Sequence, residues 1–216
     1  GQSELLEVLA GIRRPSSGVV RVLGREVTHN QPIGPAQMRR LGVAHVPEDR
    51  HRLGLVTGFP AWESAILGYQ RDRKYGFGPV MNNNAAQRDC ARMMQAFDVR
   101  PPQPALGSGK LSGGNQQKLI LAREMARAPR VLLVGQPTRG VDIGAIEFIH
   151  NQIIKMRDAG KAILLVSVEL DEIRSLSDRI LVMFDGRIVG EADPATATEG
   201  ELGLMMAGIA SKEAAE

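Results

Sequence analysis

Ser112, Gly113 and Gly114 stand just before a run, Gln116 to Arg127, whose apolar residues recur at helical spacing. A hydroxyl and two residues without side chains at a helix start leave unpaired N–H groups, allow close approach and sit at the favourable end of the helix dipole. Those are the elements of an anion site. An N-cap in a flexible loop has the same sequence, so the triplet alone does not decide between the two. Its neighbours narrow the choice. Leu111 to Lys118 reads LSGGNQQK, and after an apolar run Val134 to Asp142 reads VGQPTRGVD.

Along the rest of the chain, strand and helix patterns alternate. Gly1-Gln2-Ser3-Glu4 opens into a helical run ending at Gly11. Pro15 to Gly18 reads as a turn, Val19 to Leu23 as a strand and Gly24-Arg25 as a second turn, while Pro32 to Pro35 reads as loop. Leu41 to Val46 is short and apolar, as a buried strand requires. Ala61 to Tyr69 is a candidate helix, Arg71 to Asn84 reads as loop, and Ala86, Cys90, Met93, Met94 and Phe97 share one helical face. A methionine stripe at this spacing is read as core. Val131 to Val134 is a strand. Ile146, Ile149, Ile153 and Met156 mark an amphipathic helix that stops at Gly160. Ala162 to Val166 is a buried strand before the helix LDEIRSL. Asp185-Gly186 between two apolar runs is a hairpin signal, and Glu201 to Ala210 is helical. Alternation without internal repeats gives an α/β fold with a mainly parallel sheet.

Composition removes several function classes. Twenty-seven basic and 24 acidic residues are interleaved, net charge is +3 and aromatics are 4%, so a nucleic-acid face is not indicated. One cysteine, Cys90, excludes an internal disulfide and a Cys-rich zinc site. His29, His45, His51 and His150 show no metal-ligand spacing. No apolar run approaches the roughly 20 residues that span a bilayer. The expectation is a cytoplasmic protein, peripheral to the inner face of the cell membrane through its partners.

LSGGNQQK followed by the strand and PTRGVD resembles the ATP-binding-cassette (ABC) ATPases, with their LSGGQ signature, Walker B strand and D-loop. EDRHRLGLV, from Glu48, resembles the EDRxxxGLV of sugar and nucleoside importer ATPases. The resemblance implies a P-loop NTPase-like cassette over 1–216, with a helical subdomain over about 61–127 and a partial antiparallel β subdomain. Gly1, Gln2, Ser3 and Glu4 would match the end of a Walker A loop, the N-terminal strands and most of that loop being absent. It also implies ATP and Mg²⁺ as cofactors. ATP contacts are implied at Gly1, Gln2, Ser3, Glu4, Glu48, Ser112, Gly113, Gly114, Gln117 and Asp142, with Ser3 on the metal.

At the catalytic positions the chain departs from the family. Gln2 replaces the Walker A lysine, Gly135 the Walker B aspartate, Gln136 the glutamate that polarises water, and Val168 the switch histidine. Losing one such group costs a few kcal/mol of transition-state stabilisation. Four losses predict no efficient hydrolysis at this chain's own site, and Gly135 weakens the case for Mg²⁺ there. The signature, by contrast, is intact, and in the family each signature completes a partner's Walker A site. The implied role is the C-terminal cassette of a tandem sugar or nucleoside importer ATPase. Its partners would be a second cassette, in the N-terminal half of the same chain, and integral-membrane permease subunits. AIEFIH and ELGLMMAG most resemble the nucleoside branch. A non-hydrolysing regulatory nucleotide-binding module is the alternative. A DNA-repair or cohesin-type ATPase is disfavoured, because the helical insert lacks sustained heptads.

Overall fold

Val131–Gly135 (β6) is an unbroken apolar run whose Leu132, Leu133 and Val134 are all buried. A strand buried on both faces is what the middle of a parallel sheet requires. The computed structural model describes residues 1–77 and 79–209 and places it there. Val43–Val46 (β3) pairs parallel on one side, Val43 opposite Val131, and Ala162–Val166 (β7) pairs parallel on the other, Val131 opposite Ala162. Three two-stranded antiparallel pairs complete the strand set: Val19–Val22 with Arg25–Thr28 (β1, β2), Gly76–Phe77 with Val80–Met81 (β4, β5), and Ile180–Phe184 with Arg187–Ala192 (β8, β9). This is the α/β cassette fold with a parallel core sheet that the sequence predicts.

Each face of the sheet has its own core. On one, Leu6 of Gln2–Leu9 (α1) and Met38 of Pro35–Leu41 (α2) join Val22, Val27, Val43, Leu133 and Val166. On the other, Gly113–Met125 (α5) and Ile143–Asp158 (α6) pack Ile120, Leu121, Ile149 and Ile153 against Ala44, Val46, Leu132 and Val134. Opposite residues of α5, Leu119 and Ala122, belong to a third cluster. That cluster is built by Ala61–Ala65 (α3) and Asn83–Ala96 (α4), with Cys90, Met93 and Met94 in its centre. The helix that begins at Ser112 therefore ties that helical cluster to the sheet.

A buried ion pair on α5 strengthens that tie. Arg123 donates from Nε to Glu124 Oε1 at 2.7 Å and from Nη1 to the carbonyls of Gly54 and Ser64. Glu124 Oε2 accepts from Tyr69 Oη at 2.7 Å and from the His45 amide. Burial also holds the His45 imidazole down to about 4.

Several elements differ from the sequence reading. Pro35 opens α2 at the first helical position, where its missing N–H costs nothing. Leu41 ends that helix, and Gly42 at φ +97° turns the chain into β3. The helix at Ala61 stops after Ala65 rather than continuing to Tyr69. The stretch 71–84 carries a helical turn at Arg73–Tyr75 and the β4–β5 pair, because Tyr75 is buried against the Asp89 carboxylate. The first hairpin turns at Leu23-Gly24, both left-handed, one residue earlier than expected. Asp185-Gly186 turns β8 into β9 as expected, again with both φ positive. Glu199–Met206 (α8) starts at a Thr198–Glu201 capping box, and Ala210 lies outside the described residues.

Among the described residues, β7 has no partner on its outer edge. Between it and β8 lies a groove of about 500 Å³ lined by Leu164, Val166, Ile180, Val182, Gln2 and Leu5. No helix among the described residues is long and apolar enough to cross a membrane.

Candidate functional site

The residues singled out in the sequence gather at two places, joined by the loop that leaves β3. The first lies where the N-terminus of α1 meets the C-terminal ends of β3, β6 and β7. Open parallel sheets bind ligands at such strand ends. Gly1 caps α1 without a side chain, leaving the first-turn N–H groups without a side-chain acceptor. Gln2 turns into the β7–β8 groove. Ser3 Oγ donates to Glu48 Oε2 at 2.6 Å, a contact between residues 45 apart. Glu4 is exposed on the first turn.

Gly135 ends β6 opposite Val166. A Cβ there would stand 2.5 Å from Glu48 Cγ, 2.9 Å from Leu6 Cδ1 and 3.1 Å from the Glu48 amide nitrogen. No side chain fits at 135 while Glu48 holds its place. Gln136 follows in the left-handed region at φ +45°, its N–H on the Val166 carbonyl at 2.8 Å. Its side-chain Oε1 accepts from the Val168 N–H at 3.3 Å. The two positions that the resemblance assigns to the water-polarising glutamate and the switch histidine are thus brought together. They meet through an amide carbonyl and a backbone N–H, neither of which is a base at neutral pH. The Val168 side chain is exposed.

The second place is the N-terminus of α5. Ser112 caps it, Oγ accepting from the Asn115 amide at 3.4 Å and from Asn115 Nδ2 at 2.8 Å. Asn115 Oδ1 in turn accepts from the Arg100 N–H at 2.7 Å. The glycines are required by packing inside the chain. A Cβ on Gly113 would stand 2.9 Å from Arg50 Nη2 and from the Gly140 carbonyl oxygen, and one on Gly114 2.9 Å from Asp142 Oδ2. Asp142 caps α6 through Oδ1 and the Ala145 N–H at 2.9 Å, so one carboxylate braces both helix starts. Gln117 is buried in the body of α5, away from the exposed end of the loop.

Arg50 had no role in the sequence reading beyond its place in the EDR triplet. It crosses from the β3 loop to donate from Nη1 to the Arg139 carbonyl at 2.8 Å, and it lies against Gly113. Arg50–Gly54 forms a single wide helical turn closed by Leu55 N–H on the Arg50 carbonyl, and Asp49 caps it. The His51 ring and Gln116 Oε1 meet at 2.9 Å, pinning that turn to α5. Only its position two residues after Glu48 could have flagged Arg50, because its partners lie some ninety residues away.

The two places differ in chemistry. The first offers a helix N-terminus, a hydroxyl at Ser3 and two carboxylates, Glu48 on that hydroxyl and Glu4 on the exposed first turn. Oxygen donors suit a hard cation such as Mg²⁺, which keeps several waters and is shared with phosphate oxygens, so the Ser3 hydroxyl fits that group. Among the described residues no three His, Cys, Asp or Glu side chains converge as a metal cage. The second offers N–H groups at a helix start with arginine beside them, a setting for an anion presented from outside.

Comparisons with known proteins agree with this geometry. The family profile described as "ABC transporter" matches residues 1–139. The chain is 44% identical over 214 residues to the guanosine import ATP-binding protein NupO of Bacillus subtilis, covering 99% of this chain and 41% of that protein. It is also 44% identical over 211 residues to the nucleoside import ATP-binding protein NupA of Lactococcus lactis, covering 96% and 40%. The chain thus spans about two fifths of the length of these relatives. In fold it is similar to a nucleotide-free ATP-binding cassette from an ABC transporter, with a TM-score of 0.70 at 20% identity, covering 89% of this chain and 76% of that one.

Proposed function

Because the chain belongs to the ABC transporter ATP-binding family, we propose that it is the non-hydrolysing cassette of a nucleoside or sugar importer ATPase. Its signature loop would complete the nucleotide site of a partner cassette. That partner would be the N-terminal half of a tandem chain, and permease subunits would hold the pair at the inner face of the cell membrane. The guanosine and nucleoside relatives stand at 44% identity, against 42% for a glucose and 38% for a ribose importer subunit, a narrow preference for the nucleoside class. In the paired state, ATP phosphates would meet the N-termini of α1 here and α5 across the interface. Mg²⁺ bound with them would neutralise phosphate charge.

The observation that carries the reading is the pairing of Gln136 with Val168. Phosphoryl transfer to water needs an acceptor that orients the nucleophile and donors for the charge that develops. At this centre the acceptor position is an amide oxygen already bonded to the Val168 N–H, and the donor position is an isopropyl group. The same tie supports the regulatory alternative, in which nucleotide is held here without turnover. Phosphate release by the purified chain with Mg²⁺ and ATP is the test, and background rates are expected. Release above background that Gln136→Ala abolishes would overturn the proposal.

A further inference from the structure

The β4–β5 pair carries apolar side chains that none of the core clusters takes up. Phe77 is 85% exposed and Val80 72%, and the two stand opposite each other on the ladder, with exposed Met81 opposite Gly76. The base of the pair is fixed. Tyr75 is buried with its hydroxyl on the Asp89 carboxylate, and its carbonyl accepts from the Asn82 N–H at 2.7 Å. Apolar side chains gathered in one exposed place mark an interaction site. Their surroundings are basic. Between Arg71 and Arg92 the chain has five basic residues and two acids. Both acids are taken, Asp72 by Arg127 at 2.9 Å and Asp89 by Lys74 at 2.7 Å and Arg92 at 2.8 Å. Among the described residues Arg71, Arg73 and Arg88 make no ion pair, and all three are exposed. A cavity of about 390 Å³ beside Tyr75 is lined by Lys74, Arg88 and Arg92, with Asp89 in its wall.

We infer that the β4–β5 pair docks on an anionic lipid surface, with Phe77, Val80 and Met81 entering the headgroup layer and the nearby arginines holding its phosphates. The cavity between Lys74, Arg88 and Arg92 seats one headgroup phosphate, which guanidinium groups bind in fork geometry. The charge pattern favours lipid over a protein partner. With both acids paired inside the chain, the unpaired charge here is of one sign, matching the continuous negative charge of an anionic leaflet. Segments that lie in the membrane interface combine apolar side chains with lysine and arginine in this way. The long basic stems run along the hydrocarbon edge while their heads stay with the phosphates. The cores of protein interfaces are depleted of charge instead. A single apolar insertion binds weakly and reversibly. The contact would therefore orient a cassette that permease subunits already hold at the membrane. That orienting role rests on the importer reading, whereas binding to lipid does not.

The experiment is co-sedimentation of the intact protein with sucrose-loaded vesicles. One set is phosphatidylcholine alone, the other phosphatidylcholine and phosphatidylglycerol in equal parts. Binding is expected to the mixed vesicles, and it should weaken as salt is raised. Phe77→Ser should lower that affinity by about tenfold or more, as loss of a buried aromatic side chain does. Arg71→Gln and Arg88→Gln should each lower it by about fivefold. All three positions are exposed, so the variants should fold. Val19→Ser, which removes an exposed apolar side chain from β1, should leave the affinity unchanged. In Phe77→Trp the new indole should be quenched by brominated lipid, beyond any signal from the buried Trp62. Absence of binding to the mixed vesicles overturns the inference. Binding that Phe77→Ser leaves unchanged also overturns it, since that is adsorption of a basic protein. Vesicles left unbound while Phe77→Ser still lowers turnover of the protein assembled with its permease would overturn it in favour of a protein contact. No vesicle measurement involves nucleotide, so failure of the proposed cassette role and failure of lipid docking are read separately.

Discussion

Removing Arg123 should cost this fold more than any change at the candidate site. Arg123 and Glu124 are 2% and 0% exposed, and they sit on the helix that joins the α3–α4 cluster to the sheet. Arg123→Met fills similar volume but strands the Glu124 carboxylate, with the Tyr69 hydroxyl and the distant His45 N–H as its remaining donors. It also leaves the Gly54 and Ser64 carbonyls without this donor. Breaking a buried ion pair from one side costs about 3–5 kcal/mol. For a chain of this size that corresponds to a fall in Tm of roughly 6–20 °C. Arg123→Met/Glu124→Leu removes both charges and should cost less than the two single changes summed, since no buried charge is left alone. Thermal unfolding by circular dichroism, with urea titration for free energies, measures all three variants. A loss of less than about 1 kcal/mol in Arg123→Met would refute the reasoning, placing this pair with exposed ion pairs.

Two further outcomes follow from buried groups. His45 is kept neutral in the fold, with its titration lowered to about 4 by burial, whereas the unfolded chain takes up the proton near 6.5. Its stabilising contribution is therefore present above about pH 6.5 and is lost as pH falls toward 4, by about 3 kcal/mol in all. Replacing it by Gln should flatten the stability–pH curve in that window, and an unchanged slope would contradict the assignment. Cys90 is fully buried, with its thiol pushed up to about 12 by burial. Iodoacetamide should leave it unmodified in the native state and label it on unfolding, as mass spectrometry would show, and rapid native labelling would contradict the packing.

Elements whose signal is local could be read from the sequence. The apolar run at Val131 to Val134 is a strand because burial on both faces suits it, whereas Ala162 to Val166, read as a buried strand, pairs beside it at the sheet edge with only Val166 buried. Asp185-Gly186 is a hairpin because both residues tolerate positive φ. α2 was hidden because it is seven residues long and fully buries only Met38. The β4–β5 pair was hidden because Tyr75 is held by Asp89, a partner in the next helix. The same divide runs through the candidate site. Ser112 and its glycines announce themselves by composition and spacing. Contacts such as Ser3 with Glu48, Glu48 over Gly135, and Arg50 on Arg139 join residues 45 to 89 positions apart, and only the register of three strands brings them together.

The central claim is that this chain contributes its signature, and not its own catalytic positions, to turnover. ATPase activity of the intact protein assembled with its partner cassette tests it most directly, comparing Ser112→Ala with Gln136→Ala. Ser112→Ala removes a hydroxyl and a helix cap worth about 1 kcal/mol, so it should remain folded. It should lower turnover by about a hundredfold, as loss of one transition-state donor does. Gln136→Ala should leave turnover within about twofold of wild type, because no chemistry passes through that side chain. Turnover that survives Ser112→Ala and collapses in Gln136→Ala would contradict the account.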